Sequence, residues 1–176
     1  VNPLFNSIDK SKNPDTYLGE VARVAGVYAF QAKNMDLANK YVDVAMKDTA
    51  AYKDALNLKL YIMQQGLKTK EDSVQYVNKL KDLYAKDTNN EQIFSNLVTM
   101  YGGLKMTAEQ DKVLSDKLAA DPTNALAWAL KGQIYMNSNK PEEAVDCFKK
   151  SVAKDGKNVI VLTYLGFCLN AQAAKD

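Results

Sequence analysis

Apolar positions along this chain recur three, four and seven residues apart, and short polar breaks separate one run from the next. That spacing lines one face of an α-helix, so the pattern predicts helices in succession. The clearest run is 125–158. Trp128, Gly132 and Tyr135 fall at i, i+4 and i+7. After the break Asn137-Ser138-Asn139-Lys140, Pro141 suits the first turn of a second helix, where its missing N–H costs nothing. Glu142 and Glu143 sit at that helix's positive end. Ala144, Phe148, Ser151 and Val152 form its inward stripe, and Gly156 is expected to end it through a left-handed backbone.

The same plan extends backwards. In 91–124, Phe94, Leu97 and Tyr101 mark a first helix that Gly102-Gly103 should break, and Leu114 marks a second. Thr107 with Gln110 reads as a capping box opening that shorter second helix, and this unit is expected to be the loosest. Residues 53–90 form a longer unit. Leu56, Leu60 and Met63 mark one helix, while Val77, Leu80 and Tyr84 mark another opened by Thr69. Its four extra residues should lie near Gly66-Leu67-Lys68. The first unit, 14–52, starts at Asn13-Pro14. Val21, Val24, Ala25 and Tyr28 carry its first helix, and Leu37, Ala38, Tyr41, Val42 and Ala45 its second, with Gly26 and Ala38 answering Gly132 and Ala144. Residues 1–13 read as a leader or the tail of an upstream helix.

The segment 159–171 is a lone first helix, apolar on nearly every side (Ile160, Val161, Leu162, Leu165, Phe167, Cys168 and Leu169). A helix of that kind needs cover on both faces. Self-association through it is therefore expected. The chain opens at Val1 and closes inside the repeat pattern, so it reads as an excerpt of a longer protein, with cytoplasm and periplasm both open as compartments.

One phrase recurs at intervals of 34 residues: YAKDTNN (84–90), LAADPTN (118–124) and VAKDGKN (152–158). A fixed period of that length marks stacked supersecondary units. Ala85, Ala119 and Ala153 are expected to close each second helix at a tight packing point. Asp87, Asp121 and Asp155 should enter the turn between units, and Asn90, Asn124 and Asn158 should cap the helix that follows.

Trp128, Gly132, Tyr135, Ala144 and Phe148 meet the pattern W-x₂-L-G-x₂-Y…A-x₃-F…P, and Pro122 meets its last position in the preceding unit. On these residues the chain resembles the tetratricopeptide repeat (TPR) family. Lys131 departs from it where Leu is usual, Gln110 where Ala is usual, and Gly156 where Pro is usual. The resemblance implies an all-α fold: a right-handed α-solenoid of antiparallel helix pairs, with units at about 14–52, 53–90, 91–124 and 125–158 and a terminal helix 159–171, forming one domain over 14–176.

The resemblance also implies a concave groove lined by the first helix of each pair, where such repeats hold peptides or helices of other proteins. Carried onto this sequence, that face comprises Arg23, Val27 and Phe30, then Asn57, Tyr61 and Gln64. Ser95, Thr99 and Gly102 follow, then Ala129, Gln133 and Met136, and finally Thr163 and Phe167. It is nearly neutral, with amides and hydroxyls to bond an extended backbone and aromatic anchors at Phe30 and Tyr61. The Lys, Asn and Arg clamp with which some TPR domains grip acidic chaperone tails is not matched, since Ser95, Thr99, Ala129 and Gln133 carry no charge.

Composition narrows the chemistry further. Net charge is +2, and the basic set is 22 Lys with the single Arg23. With no clustered stripe and almost no bidentate forks, a nucleic-acid partner is not expected. The chain has no His and two Cys, which removes the commonest general base and any metal cage or disulfide framework. Cys147 and Cys168 read as small buried hydrophobes. The acid pairs Glu71-Asp72 and Glu142-Glu143 open helices, where carboxylates stabilise the positive end. No catalysis, cofactor, metal or membrane insertion is expected. The sequence predicts a non-catalytic protein–protein interaction module, or alternatively a scaffold or assembly subunit acting through its ends or convex face.

Overall fold

A computed structural model describes residues 14–173, and the expectation for residues 1–13 lies outside them. The described residues contain helices and no strand. In chain order these are α1 (Pro14–Gln31), α2 (Met35–Ala45), α3 (Tyr52–Gln65), α4 (Lys70–Lys86), α5 (Glu91–Gly103), α6 (Thr107–Ala120), α7 (Ala125–Asn137), α8 (Pro141–Lys154) and α9 (Val159–Ala173). The chain divides into two compact units, the first ending at Tyr76 and the second beginning at Val77.

In the first unit α1 and α2 pack along their length. Their core is Ala22, Ala25 and Ala29 against Ala38, Tyr41, Val42 and Ala45, closed by Ala55 and Ile62 of α3. The α1 stripe expected from Val24 and Tyr28 is corrected here. Val24 is 39% and Tyr28 58% exposed, while the small residues one and two positions away are buried. Small side chains win the inner face because α2 comes so close. A Cβ on Gly26 would stand 2.9 Å from Val42 Cγ2.

The α2 stripe is as expected. In α3, Leu56 and Leu60 are buried as expected, joined by Ala55 and Ile62. Thr69 does open α4, through a reciprocal cap: its Oγ1 accepts from the Asp72 N–H (3.0 Å), and Asp72 Oδ2 accepts from the Thr69 and Lys68 amides (2.9 and 3.1 Å). The surplus length of this stretch lies mainly in α4 itself, 17 residues against 14 in α6 and α8, and not chiefly at Gly66–Lys68.

In the second unit α7 and α8 pack along their length, α8 receives α9, and α5 and α6 meet less closely. Phe94, Val98, Leu114 and Ala127 form one core, and Ala144, Val145, Phe148, Val161 and Cys168 another. Gly132 permits the close approach of α7 and α8, because a Cβ there would lie 2.7 Å from Phe148 Cε1. The looseness of α5 and α6 has a visible cause. Gln110, in place of Ala, is buried; its amide donates to the Val98 carbonyl (2.9 Å) and stands 2.7 Å from where a Gly102 Cβ would be. Gln110 is thus no capping-box partner. Met106 occupies the N-cap of α6 without a side-chain bond, while α5 ends at Gly103 with Leu104 as its C-cap, at the expected break.

The turn inside each of three pairs is set by a residue the pattern did not flag. Lys33, Lys105 and Asn139 adopt φ of 58°, 58° and 57°. The next amides, of Asn34, Met106 and Lys140, reach back to the carbonyls of Ala29, Tyr101 and Tyr135. This is a Schellman closure with a non-glycine at the left-handed position. Gly156 has no positive φ, and α8 stops at Lys154 with Asp155 as its C-cap.

Two measurements check this packing. Lys105→Gly should raise stability to urea by about 1 kcal/mol by removing the left-handed strain of a side-chain-bearing residue. Gly132→Ala should lower it by about 1–3 kcal/mol, because the Phe148 ring must move, outweighing the gain in helix propensity.

Candidate binding surfaces

The frame that positions the surface residues is the four-residue link between pairs. Asp87, Asp121 and Asp155 accept from the amides two residues on, Asn89, Thr123 and Lys157. Asn90, Asn124 and Asn158 then accept from Ile93, Ala127 and Val161, capping α5, α7 and α9. Both expected roles are therefore met. The third is corrected: Ala85, Ala119 and Ala153 are exposed, and Ala85 and Ala153 line surface clefts. A fourth copy was missed. Lys47-Asp48-Thr49 repeats Lys86-Asp87-Thr88, and Asp48 accepts from the Ala50 amide (2.9 Å), although Ala51 cannot supply the cap.

In the first unit the expected groove residues come from α1 and α3. Phe30 and Tyr61 meet edge to face, with ring centroids 5.3 Å apart at 66°, and Tyr61 remains 50% exposed. Val27 and Asn57 are half-buried and Gln64 exposed. Arg23 is engaged by its own helix. Its guanidinium donates from Nε (2.8 Å) and a terminal nitrogen to both Glu20 oxygens, which holds Glu20 below the usual carboxylate range. Lys59 reaches from α3 to Asn39 and Asp43 of α2 (both 2.9 Å), so it braces the pair and does not face a ligand.

In the second unit Ser95 and Gln133 are half-buried, and Thr99 and Phe167 exposed. Gly102 lies opposite Gln110. Ala129 and Met136 pack on the Phe148 core, while Thr163 bonds back to the Val159 carbonyl (2.8 Å). Ala144 and Phe148 are fully buried. Tyr135 is partly so.

Trp128 is half-buried, and its ring is engaged at the surface. Its indole N–H donates to the Pro122 carbonyl (2.8 Å), Lys150 Nζ lies 4.1 Å from the ring centroid, and Lys131 Nζ lies 5.6 Å away. The Lys at the usual Leu position thus turns to the indole face, where a cation is attracted by the ring quadrupole. A cleft of about 360 Å³ opens there beside Thr123, Ala153 and Lys154. A second cleft of about 380 Å³ is lined by Tyr84, Leu97 and Tyr101 under a rim of Lys81, Glu109, Lys112 and Asp116. Burial raises the pKa of both tyrosines, so their hydroxyls stay neutral donors.

Cys147 and Cys168 are buried and unpaired, and desolvation raises both thiols, so neither is an activated nucleophile. Among the described residues no three His, Cys, Asp or Glu side chains gather as a metal site. Among those residues, too, no helix is long and apolar enough to cross a membrane.

These helix pairs define an all-α, TPR-like helical-repeat fold. Solved structures share it: the thermophilic TPR protein TTC0263 of Thermus thermophilus (TM-score 0.61, 14% identity, 95% of this chain and 88% of that one) and MamA, residues 41 to the end, from Desulfovibrio magneticus RS-1 (TM-score 0.55, 16% identity, 88% and 85%). No family model matches the sequence, and no curated protein matches it.

The link carboxylates make stability pH-dependent. The Thr123 hydroxyl and amide hold Asp121 low, and the Lys68 and Thr69 amides hold Asp72 low. Carboxyls depressed by folding stabilise above their unfolded values and lose that contribution as pH falls through the folded ones. The urea midpoint should therefore stay level from neutrality to about pH 4.5, the ordinary value of Glu20, and decline below it. Asp72→Asn combined with Asp121→Asn should flatten that decline.

Proposed function

We propose that this chain is a non-catalytic protein–protein interaction module. In the first unit it holds a peptide or helix of a partner against the α1 and α3 face. The observation that carries this reading is the Phe30–Tyr61 pair. Two aromatic side chains from different first helices stack edge to face and leave Tyr61 half exposed. Rigid aromatic anchors of this kind contribute contact area at low entropic cost. Asn57 and Gln64 beside them supply amide donors and acceptors for a backbone. Gln133, Thr99 and Ser95 offer the same polar chemistry on first helices of the second unit. The TPR-like fold of the chain supports the reading.

A second reading, a scaffold acting through its end, is favoured by α9, where Val159, Ile160 and Phe167 are 73%, 65% and 65% exposed. Affinity capture followed by mass spectrometry separates the two. Tyr61→Lys should abolish capture of the wild-type partner with the melting temperature nearly unchanged. If capture survives that change and is lost when Phe167 or Leu169 is made polar, the scaffold reading replaces the groove.

A further inference from the structure

A shift of one 34-residue period places Phe94 where Trp128 stands, Thr88 where Pro122 stands and Lys117 where Ser151 stands. In the earlier unit that corner is filled. Phe94 is fully buried, and Lys117, only 8% exposed, reaches past its ring to donate to the Thr88 carbonyl (2.7 Å). In the later unit Ser151 is too short to reach so far and donates to the Ala125 carbonyl (2.8 Å). The matching carbonyl, of Pro122, is taken by the Trp128 indole, and the corner stays open as the cleft of about 360 Å³. A following helix pair does not close this position. Asp116, Ala119 and Ala120, the counterparts of Lys150, Ala153 and Lys154, stay exposed with α7 and α8 in place.

The cleft is lined by Pro122, Thr123, Trp128, Lys150, Ala153 and Lys154, none of them acidic. Lys150 and Lys131 turn their ammonium groups to the indole ring. Neither of them, nor Lys154, makes a hydrogen bond or ion pair among the described residues. Asp121 lies near Lys154, but its carboxylate is held by the Thr123 hydroxyl and amide (2.9 and 3.0 Å). The remaining link amides are also taken, that of Asn124 by the Asp121 carbonyl and that of Ala127 by the Asn124 side chain. The cleft therefore offers ammonium groups beside apolar surface, without the free backbone amides that cradle phosphate.

We propose that this cleft binds an acidic segment of a partner protein, whose carboxylates bond to Lys150 and Lys154 while an apolar side chain rests on Trp128 and Ala153. Charge complementarity selects the occupant, since the unpaired cations face no acid of their own. The indole already holds the Lys150 ammonium over its ring, so less ordering is left for the ligand to impose. Asp116 and Ala120 stand at the matching places of the preceding unit, so the repeat does not duplicate the site. None of the lining residues belongs to the first-helix groove, and the proposal does not depend on that reading.

Trp128 is the chain's only tryptophan, so its emission reports the cleft directly. The full chain is titrated with a short peptide of alternating Glu and Leu, and with the same peptide carrying Gln for Glu. A saturable change in Trp128 emission is expected with the Glu peptide, weakening as salt is added, and none with the Gln peptide. Lys150→Gln combined with Lys154→Gln should weaken binding about tenfold or more. Both side chains are exposed, so circular dichroism and melting temperature should stay those of the wild type. Tyr61→Lys should leave peptide binding unchanged, which separates the cleft from the groove. Absence of binding, equal binding by the Gln peptide or by the double variant, or its loss in Tyr61→Lys overturns the proposal. So does inorganic phosphate that binds as tightly as the Glu peptide, since the cleft would then be a plain anion site. A shift of the same emission on concentrating the chain alone makes a second copy the occupant and overturns it too.

Discussion

The link between helix pairs is the constraint on which the rest of this fold depends. A helix of 11–18 residues is marginal on its own and persists only when its apolar face is covered. Four residues must therefore end one helix, reverse the chain and start the next at an angle that brings the two faces together. In three links an Asp takes the amide two positions on, and an Asn three positions after the Asp takes the third amide of the new helix. Both bonds satisfy donors that a helix end would otherwise leave open. The entry geometry is thereby fixed by short polar side chains, independently of the core. Core composition can then vary from Phe94 and Leu114 to Ala144 and Phe148 without changing the stacking plan.

How much of this was legible in the sequence follows from which interactions leave a periodic trace. The links were readable because the same side chain repeats the same local bond at a fixed spacing. The α7–α8 pair was readable because large apolar residues and one glycine occupy distinct helical positions. The α1 register was not, because close approach to α2 selects Ala and Gly, whose hydrophobic signal is weaker than that of the exposed Val24 and Tyr28 beside them. The pair turns were also hidden. A left-handed residue is ordinarily sought as glycine, whereas here Lys33, Lys105 and Asn139 hold that conformation under backbone bonds the sequence does not display.

The candidate surfaces divide along the same line. Phe30 and Tyr61 were identified by placing them on first helices, and the structure brings their rings together. Trp128 was singled out by its place in the motif, but its surroundings are set by Lys131, three residues on in α7, and by Lys150, which reaches it from α8. A cation over an indole leaves no spacing signature. Likewise Gln110 looked like a helix-start residue, but its amide found the Val98 carbonyl inside the pair, a bond between residues twelve apart that only the packed helices create.

The two exposed aromatic regions differ in what solvent exposure costs them. Tyr61 shares its ring contact with Phe30 and keeps a hydroxyl for water, so half exposure is tolerable in the free protein. Phe167 and Ile160 have no polar atom on the side chain, and each is 65% exposed on a helix without charge. At about 25 cal/mol per Å² of apolar surface, covering side chains of this size is worth on the order of 1–2 kcal/mol each. Exposure of Tyr61 costs less, because its hydroxyl stays in water and its ring rests on Phe30. The exposed residues of α9 therefore favour apolar cover more strongly than Tyr61 does.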